Sequence, residues 1–142
     1  MDKTKISNII KINFDKFNSQ NIKLNLNIED KNAEPLIQIK DELIYCFGNI
    51  VQNAIQHAKK IINVEIKWDI KEFLITIEDD GIGFKNDILE KVGQPYISKK
   101  ENGMGLGIFI AKNLIENIGG SIAFSNNKNK GAKVEIKIFR VT

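Results

Sequence analysis

Three alternate glycines, Gly103, Gly105 and Gly107, run straight into a helical apolar pattern that spans Leu106 to Asn117. A chain built this way brings an open stretch of backbone to a helix N-terminus. Unpaired N–H groups and the positive end of the helix dipole suit phosphate oxygens there. Two other blocks precede it in fixed order, Gly48-Asn49-Ile50-Val51-Gln52-Asn53-Ala54 and Asp79-Asp80-Gly81-Ile82-Gly83. Each block alone is a weak signal. Together they supply a metal-binding amide, a carboxylate beside glycines and a phosphate cradle, which are the parts of an ATP site.

Other phosphate motifs fail on spacing. A dinucleotide fingerprint needs G-x-G-x-x-G directly after a strand, with an acid about 20 residues on. Here the spacing is G-x-G-x-G after a polar segment, and no G-K-[ST] of a P-loop occurs. The 142 residues fit one domain, and 42% hydrophobic with 27% charged residues match an ordinary globular protein. No apolar run approaches the roughly 20 residues needed to cross a bilayer. No charged-then-apolar leader opens the chain, so we expect it to stay in the cytoplasm, where it would also sit as part of a membrane-anchored protein. A single cysteine, Cys46, excludes an internal disulfide and a cysteine metal cluster; it lies on the apolar side of a helical pattern and reads as a core thiol. The net charge of +3 is small and mixed in sign, which does not point to nucleic acid.

Periodicity gives the elements. Ile6, Ile9, Ile10, Phe14 and Phe17 predict a helix over about residues 3–18, and residues 22–28 alternate as a half-buried strand. Pro35 sits in a loop before the short apolar run 36–39, and a helical period covers Asp41 to about Lys59. Residues 64–68 and 73–77 predict a hairpin, and 121–124 with 133–138 a second one around the polar turn 126–131. Residues 84–102 show little periodicity and read as a long polar loop, of a length that is usually a functional lid or disordered. Gly119-Gly120 stops the last helix. Two hairpins among helices predict an α/β (α+β) two-layer sandwich, its sheet mixed but mostly antiparallel, with helices on one face.

On the middle helix, Asn49, Asn53 and Gln56 share a face, with Phe47, Ile50, Val51, Ala54 and Ala58 opposite. A solvated polar face is one reading, although such faces favour Lys, Glu and Arg as better helix formers. The other is a ligand site, because an amide oxygen can hold Mg²⁺ without adding negative charge beside a triphosphate. His57 reads as a helix-end residue or at most a ligand contact. Asp79-Asp80-Gly81 is an ordinary turn signal by itself, but a second glycine permits close approach of a flat ligand. A carboxylate there can accept a hydrogen bond from the adenine amine, a contact of about 1.5–3 kcal/mol that rejects guanine. Among the loop lysines, Lys99 is the candidate for direct contact with the triphosphate.

These blocks stand where a known family has them. The chain resembles the catalytic ATP-binding (HATPase) domain of sensor histidine kinases, over roughly residues 3–140, and the resemblance implies a Bergerat-type ATP-binding fold. Residues 49–57 resemble that family's N box, 79–83 its first G box and 103–107 its second. Pro95 to Lys99 sits where an F box would, and the run from Pro95 to Ile110 is similar to RegB-type sensor kinases. The resemblance implies Mg²⁺ on Asn53 with Asn49 beside the phosphates, adenine on Asp79, and an ATP lid over residues 84–102. Gln56, His57, Gly81, Gly83, Lys99 and the block Gly103-Met104-Gly105-Leu106-Gly107 complete the implied nucleotide contacts. The sequence departs from the pattern at Gln56, where Lys or Arg is common, at Tyr96 and Ile97, usually Phe, and at Ala132, often Thr. No segment resembles the helical hairpin that carries the phosphoacceptor histidine.

The expectation is therefore one domain, 1–142, that presents the γ-phosphoryl group of Mg–ATP to a histidine outside this chain. Asn49, Asn53 and Lys99 would serve as its catalytic residues. Its partners would be that histidine hairpin and, downstream, a response regulator. The alternatives are an anti-sigma-factor-type serine kinase of the same superfamily, which typically carries Glu where Asn49 stands, and a non-enzymatic ATP-gated binding module.

Overall fold

Alternation decides the architecture, because three strands each present one apolar face. The computed structural model describes residues 2–92 and 103–140. In chain order these form β1 (Lys3–Lys5), α1 (Ile6–Phe17), β2 (Lys23–Ile28), β3 (Leu36–Gln38), α2 (Asp41–His57), β4 (Ile61–Trp68) and β5 (Glu72–Asp79). They continue with α3 (Asn86–Val92), α4 (Gly103–Asn117), β6 (Ser121–Asn126) and β7 (Ala132–Phe139). The main sheet has the order β2-β4-β5-β7-β6, parallel between β2 and β4 and antiparallel elsewhere. In β4, β5 and β7, every second residue is buried: Ile62, Val64, Ile66; Phe73, Ile75, Ile77; Val134, Ile136, Ile138. The register stacks them in rows, Val64 opposite Ile77 and Ile77 opposite Val134.

The helices cover that face. From α2 come Leu43, Phe47, Ile50 and Val51, from α4 Ile108, Ala111 and Ile115, and from α1 Ile6, Ile10 and Phe14. The other face of the sheet is polar, with exposed ion pairs such as Lys137–Glu72 at 3.7 Å, each worth under about 1 kcal/mol. The predicted two-layer sandwich is thus the observed one. Cys46 is fully buried, and burial pushes its thiol up to about 12, so it is an inert core residue.

Several element boundaries differ from the expectation, three of them with consequences for the architecture. Residues 3–5 are a strand, not the start of a helix; β1 pairs antiparallel with β3 in a small separate ribbon. The first helix then begins at Ile6 without a local cap. Glu34, buried in the loop before β3, caps it from a distance, accepting the Ser7 N–H at 3.0 Å and the Ser7 hydroxyl at 2.7 Å. Within the expected loop 84–102, residues 86–92 are helical, because Ile88 and Val92 stand one turn apart and both reach the core. Residues 93–102 lie outside the described residues. Finally, the last helix starts at Gly103 instead of Leu106, so the glycine block forms its first turns.

Candidate functional site

Helix α2 carries one end of the site to the other. Asn49 is half-buried, and its Nδ2 donates to the Tyr45 carbonyl at 2.9 Å, which leaves Oδ1 free to face α4. A Cβ on Gly107 would stand 3.7 Å from that oxygen. Asn49 therefore sits beside the first turns of α4, the phosphate-suited helix end. One turn further, Asn53 is 9% exposed and has no hydrogen-bond partner among the described residues. Among those residues the one buried side-chain polar atom both sealed from solvent and unpartnered is His57 Nε2, so the Asn53 amide is narrow but open. An amide that reaches solvent and makes no hydrogen bond to a described residue is free to bind a ligand. Gln56 is exposed on the same helix.

The far end of α2 meets the end of β5. Asp79 continues the inward row of Phe73, Ile75 and Ile77, so parity alone directs its carboxylate under α2, and it is only 7% exposed. Its Oδ1 accepts the Gly81 N–H at 2.8 Å and the Ala132 N–H at 3.3 Å. Those bonds fix the carboxylate and leave Oδ2 available. Burial raises the Asp79 pKa above the ordinary aspartate value, against the lowering pull of those two N–H groups and of His57. Asp80, with opposite parity, turns outward and behaves oppositely. Some desolvation works against its charge, but the N–H groups of Lys60, Lys59 and Ile61 outweigh it and lower the pKa. Its Oδ1 accepts from Lys59 at 2.7 Å and Lys60 at 3.1 Å. This ties the end of α2 to the glycine loop.

The first glycine pair also has a role within the protein itself. A Cβ on Gly81 would fall 1.9 Å from the His57 carbonyl oxygen, so the absent side chain admits the α2 backbone. Gly83 takes a φ of +86°, and a Cβ there would meet Asn126 Oδ1 at 2.7 Å. Asn126 is a residue that sequence reasoning missed. It clamps the loop by accepting the Phe84 N–H at 2.7 Å and donating to the Phe84 carbonyl at 2.9 Å. Phe84 then packs edge-on against Phe124, with centroids 5.7 Å apart.

The fold therefore brings Asn49, Asn53, His57, Asp79, Gly81 and Gly107 along one line. From Asn49 to His57 it runs about 12 Å down α2, the scale of an extended nucleoside triphosphate. Gly103, Met104, Gly105 and Leu106 lie in the opening turns of α4. Lys99 lies outside the described residues.

The sequence that builds this site matches a known family. The model of the "Histidine kinase-, DNA gyrase B-, and HSP90-like ATPase" family matches residues 38–142. The chain belongs to this family. Among relatives, sporulation kinase B of Bacillus subtilis (strain 168) is 34% identical over 101 residues, which cover 71% of this chain and 23% of that protein. Sensor histidine kinase RegB of Cereibacter sphaeroides is 32% identical over 104 residues, 66% of this chain and 22% of that protein. The chain thus spans under a quarter of the length of these curated relatives. Among solved structures, the catalytic domain of histidine kinase ThkA has a TM-score of 0.77 at 21% identity, covering 100% of both chains. The mycobacterial sensor histidine kinase MprB has a TM-score of 0.74 at 15% identity, covering 97% of both. These two likenesses establish the fold. Family membership implies ATP binding.

The donor set also fits magnesium. Among the described residues, no three histidine, cysteine or carboxylate side chains cluster as a metal site. Mg²⁺ commonly takes one or two protein oxygens and leaves the rest of its shell to phosphates and water. One unpartnered amide, Asn53, meets that demand.

Proposed function

We propose that this histidine-kinase-like ATPase domain binds Mg–ATP and presents the γ-phosphoryl group to a histidine elsewhere in a longer two-component sensor kinase. The observation that carries the proposal is the Asp79 carboxylate, buried and fixed through Oδ1 with Oδ2 open, at the C-terminal end of α2, while Asn49, about 12 Å back along the helix, stands beside Gly107 in the opening turns of α4. Adenine would donate its amine to Asp79, near His57, and the phosphates would lie between Asn49, Asn53 and the opening turns of α4. Asn53 would hold Mg²⁺, which when bound neutralises phosphate charge. Asn49 would orient the phosphates, with its own amide held by the Tyr45 carbonyl. Lys99 would add a cation at the triphosphate. Positioning and charge stabilisation then supply the catalysis, with little covalent work for side chains. On this reading residues 1–142 are a single domain, residues 84–102 cover the nucleotide, and a response regulator takes the phosphoryl group onward. Among the described residues no helix is long and apolar enough to cross a membrane; a cytoplasmic place, free or below a membrane anchor, belongs to the proposal. Asn49, in place of the Glu typical of anti-sigma serine kinases, favours a histidine acceptor.

Calorimetry with ATP and GTP, with and without Mg²⁺, tests the site. Wild type should bind ATP and reject GTP, and Asp79→Asn should weaken ATP by roughly tenfold or more, the loss of one charge-assisted bond. The pH dependence has a definite sign. Because the folded-state pKa of Asp79 is raised, its ionised form disfavours folding. The stability it contributes is fully present below the unfolded pKa and is lost as pH rises through the folded one. Asp79→Asn should therefore unfold no earlier than wild type at neutral pH. ATP affinity of wild type should fall on acidification at a higher pH than an ordinary aspartate would dictate. GTP binding equal to ATP, or an unchanged mutant, would refute the adenine assignment. A phosphorylation assay against a separately supplied histidine hairpin tests the acceptor.

Gly107→Ala separates the ligand's demand from the protein's. The nearest atom to the added methyl is Asn49 Oδ1 at 3.7 Å, an ordinary contact. Alanine in a helix should raise stability by about 0.5–1 kcal/mol. The methyl faces the proposed phosphate path, so ATP affinity should drop while thermal unfolding shifts upward. Unaltered affinity would mean the phosphates do not approach this turn.

A further inference from the structure

A cavity lies away from the candidate nucleotide site, toward the N-terminal end of α2, about 15 Å along that helix from Asn53 to Leu43. Its volume is about 280 Å³, and its walls include Leu43, Phe73, Ile118 and Ile138. Leu36, on the β3 ribbon at its edge, is 56% exposed, an apolar side chain left facing solvent. Three cations share this lining, Lys3, Lys40 and Arg140, and no acidic residue lines the cavity among the described residues. Lys3 and Lys40 have no ion-pair partner among those residues. Arg140 is already posed: its Nη1 donates to the Asp69 carbonyl at 2.6 Å, and the guanidinium lies 5.7 Å from the centre of the Phe73 ring.

We propose that this cavity is a second ligand site, for a small amphiphilic carboxylate. An apolar floor takes a hydrocarbon tail, and three cations favour an anion at the mouth, since the one carboxylate that Arg140 is seen to stabilise, Asp69, lies outside the lining. The remaining guanidinium donors of Arg140 form a planar fork that matches a carboxylate. The volume falls just below the range of about 300–1,000 Å³ typical of drug-sized ligands, so the tail is short. The cavity shares no residue with Asn53, Asp79 or the glycine block, so the site stands or falls independently of the nucleotide reading.

The test is an amide-resolved NMR titration of the 142-residue chain with octanoate, without nucleotide, beside octanol as the uncharged match. Octanoate should give saturable shifts at Leu43, Phe73 and Ile138, and octanol should bind at least about tenfold more weakly. Arg140→Gln also removes the bond to Asp69, so Lys3→Gln and Lys40→Gln are measured alongside it. Each should weaken octanoate several-fold and leave octanol unchanged. Asn53→Ala should bind octanoate like wild type. Octanol binding as well as octanoate, charge-insensitive variants, shifts centred elsewhere, or no saturable shifts would each overturn the proposal.

Discussion

Asn53→Ala should lose Mg²⁺-dependent ATP binding and keep, or slightly gain, stability. Outer-sphere partners of a metal ligand commonly cost about 10–100-fold when removed, so loss of the direct ligand should cost at least about 100-fold in the Mg²⁺-dependent part of the affinity. Stability should move the other way for local reasons. Asn53 is buried at 9% exposure with no partner among the described residues, so truncation breaks no internal hydrogen bond. Alanine is also the better helix former, by up to about 0.7 kcal/mol in mid-helix. A residue that weakens its own fold while awaiting a ligand is the signature of a functional position. Calorimetry with and without Mg²⁺, paired with urea unfolding of the apo protein, reads both effects. Full Mg²⁺-dependent affinity in the variant would remove Asn53 as ligand. A loss of more than about 2 kcal/mol of stability would instead make it a structural residue.

The parts of this molecule that were legible in the sequence are those in which one face differs from the other. The alternation in residues 64–68 and 73–77 fixed both strands and, through parity, the burial of Asp79 in line with Phe73, Ile75 and Ile77. The amide stripe of Asn49 and Asn53 was visible for the same reason. Contacts between a side chain and a distant backbone were not visible. Glu34 capping Ser7, Asp80 holding Lys59 and Lys60, and Asn126 clamping Phe84 leave no period, since their partners are N–H and C=O groups that every residue carries. The β1–β3 ribbon was missed because three-residue strands are too short to alternate. Helix α3 did leave a signal, Ile88 and Val92 one turn apart, but it spans only two turns within a polar stretch. The glycines around Asp79 have a second role that left no mark in the sequence: the backbone of His57 packs against Gly81.

The same crowding predicts the largest loss of stability, at Gly131. This residue takes a φ of +103° in the turn between β6 and β7, and a Cβ there would stand 1.9 Å from the Asp79 carbonyl oxygen. Two costs add. The left-handed conformation costs a side chain about 1–2 kcal/mol, and forcing atoms into a filled space about 1–3 kcal/mol more. The obstacle is the end of strand β5, which cannot retreat without carrying the Asp79 carboxylate with it. Gly119 isolates the first cost. It takes a φ of +84° with nothing within 4 Å of an added methyl, and it closes α4 through the bonds Gly119 N–H to Glu116 and Gly120 N–H to Ile115. Urea unfolding should show a loss of about 2–5 kcal/mol for Gly131→Ala and about 1–2 kcal/mol for Gly119→Ala. ATP affinity, measured well below each unfolding midpoint, should fall for Gly131→Ala because Asp79 is displaced, and hold for Gly119→Ala. Equal losses of stability would show that the turn moves aside freely and that the end of β5 is not the rigid support on which Asp79 is held.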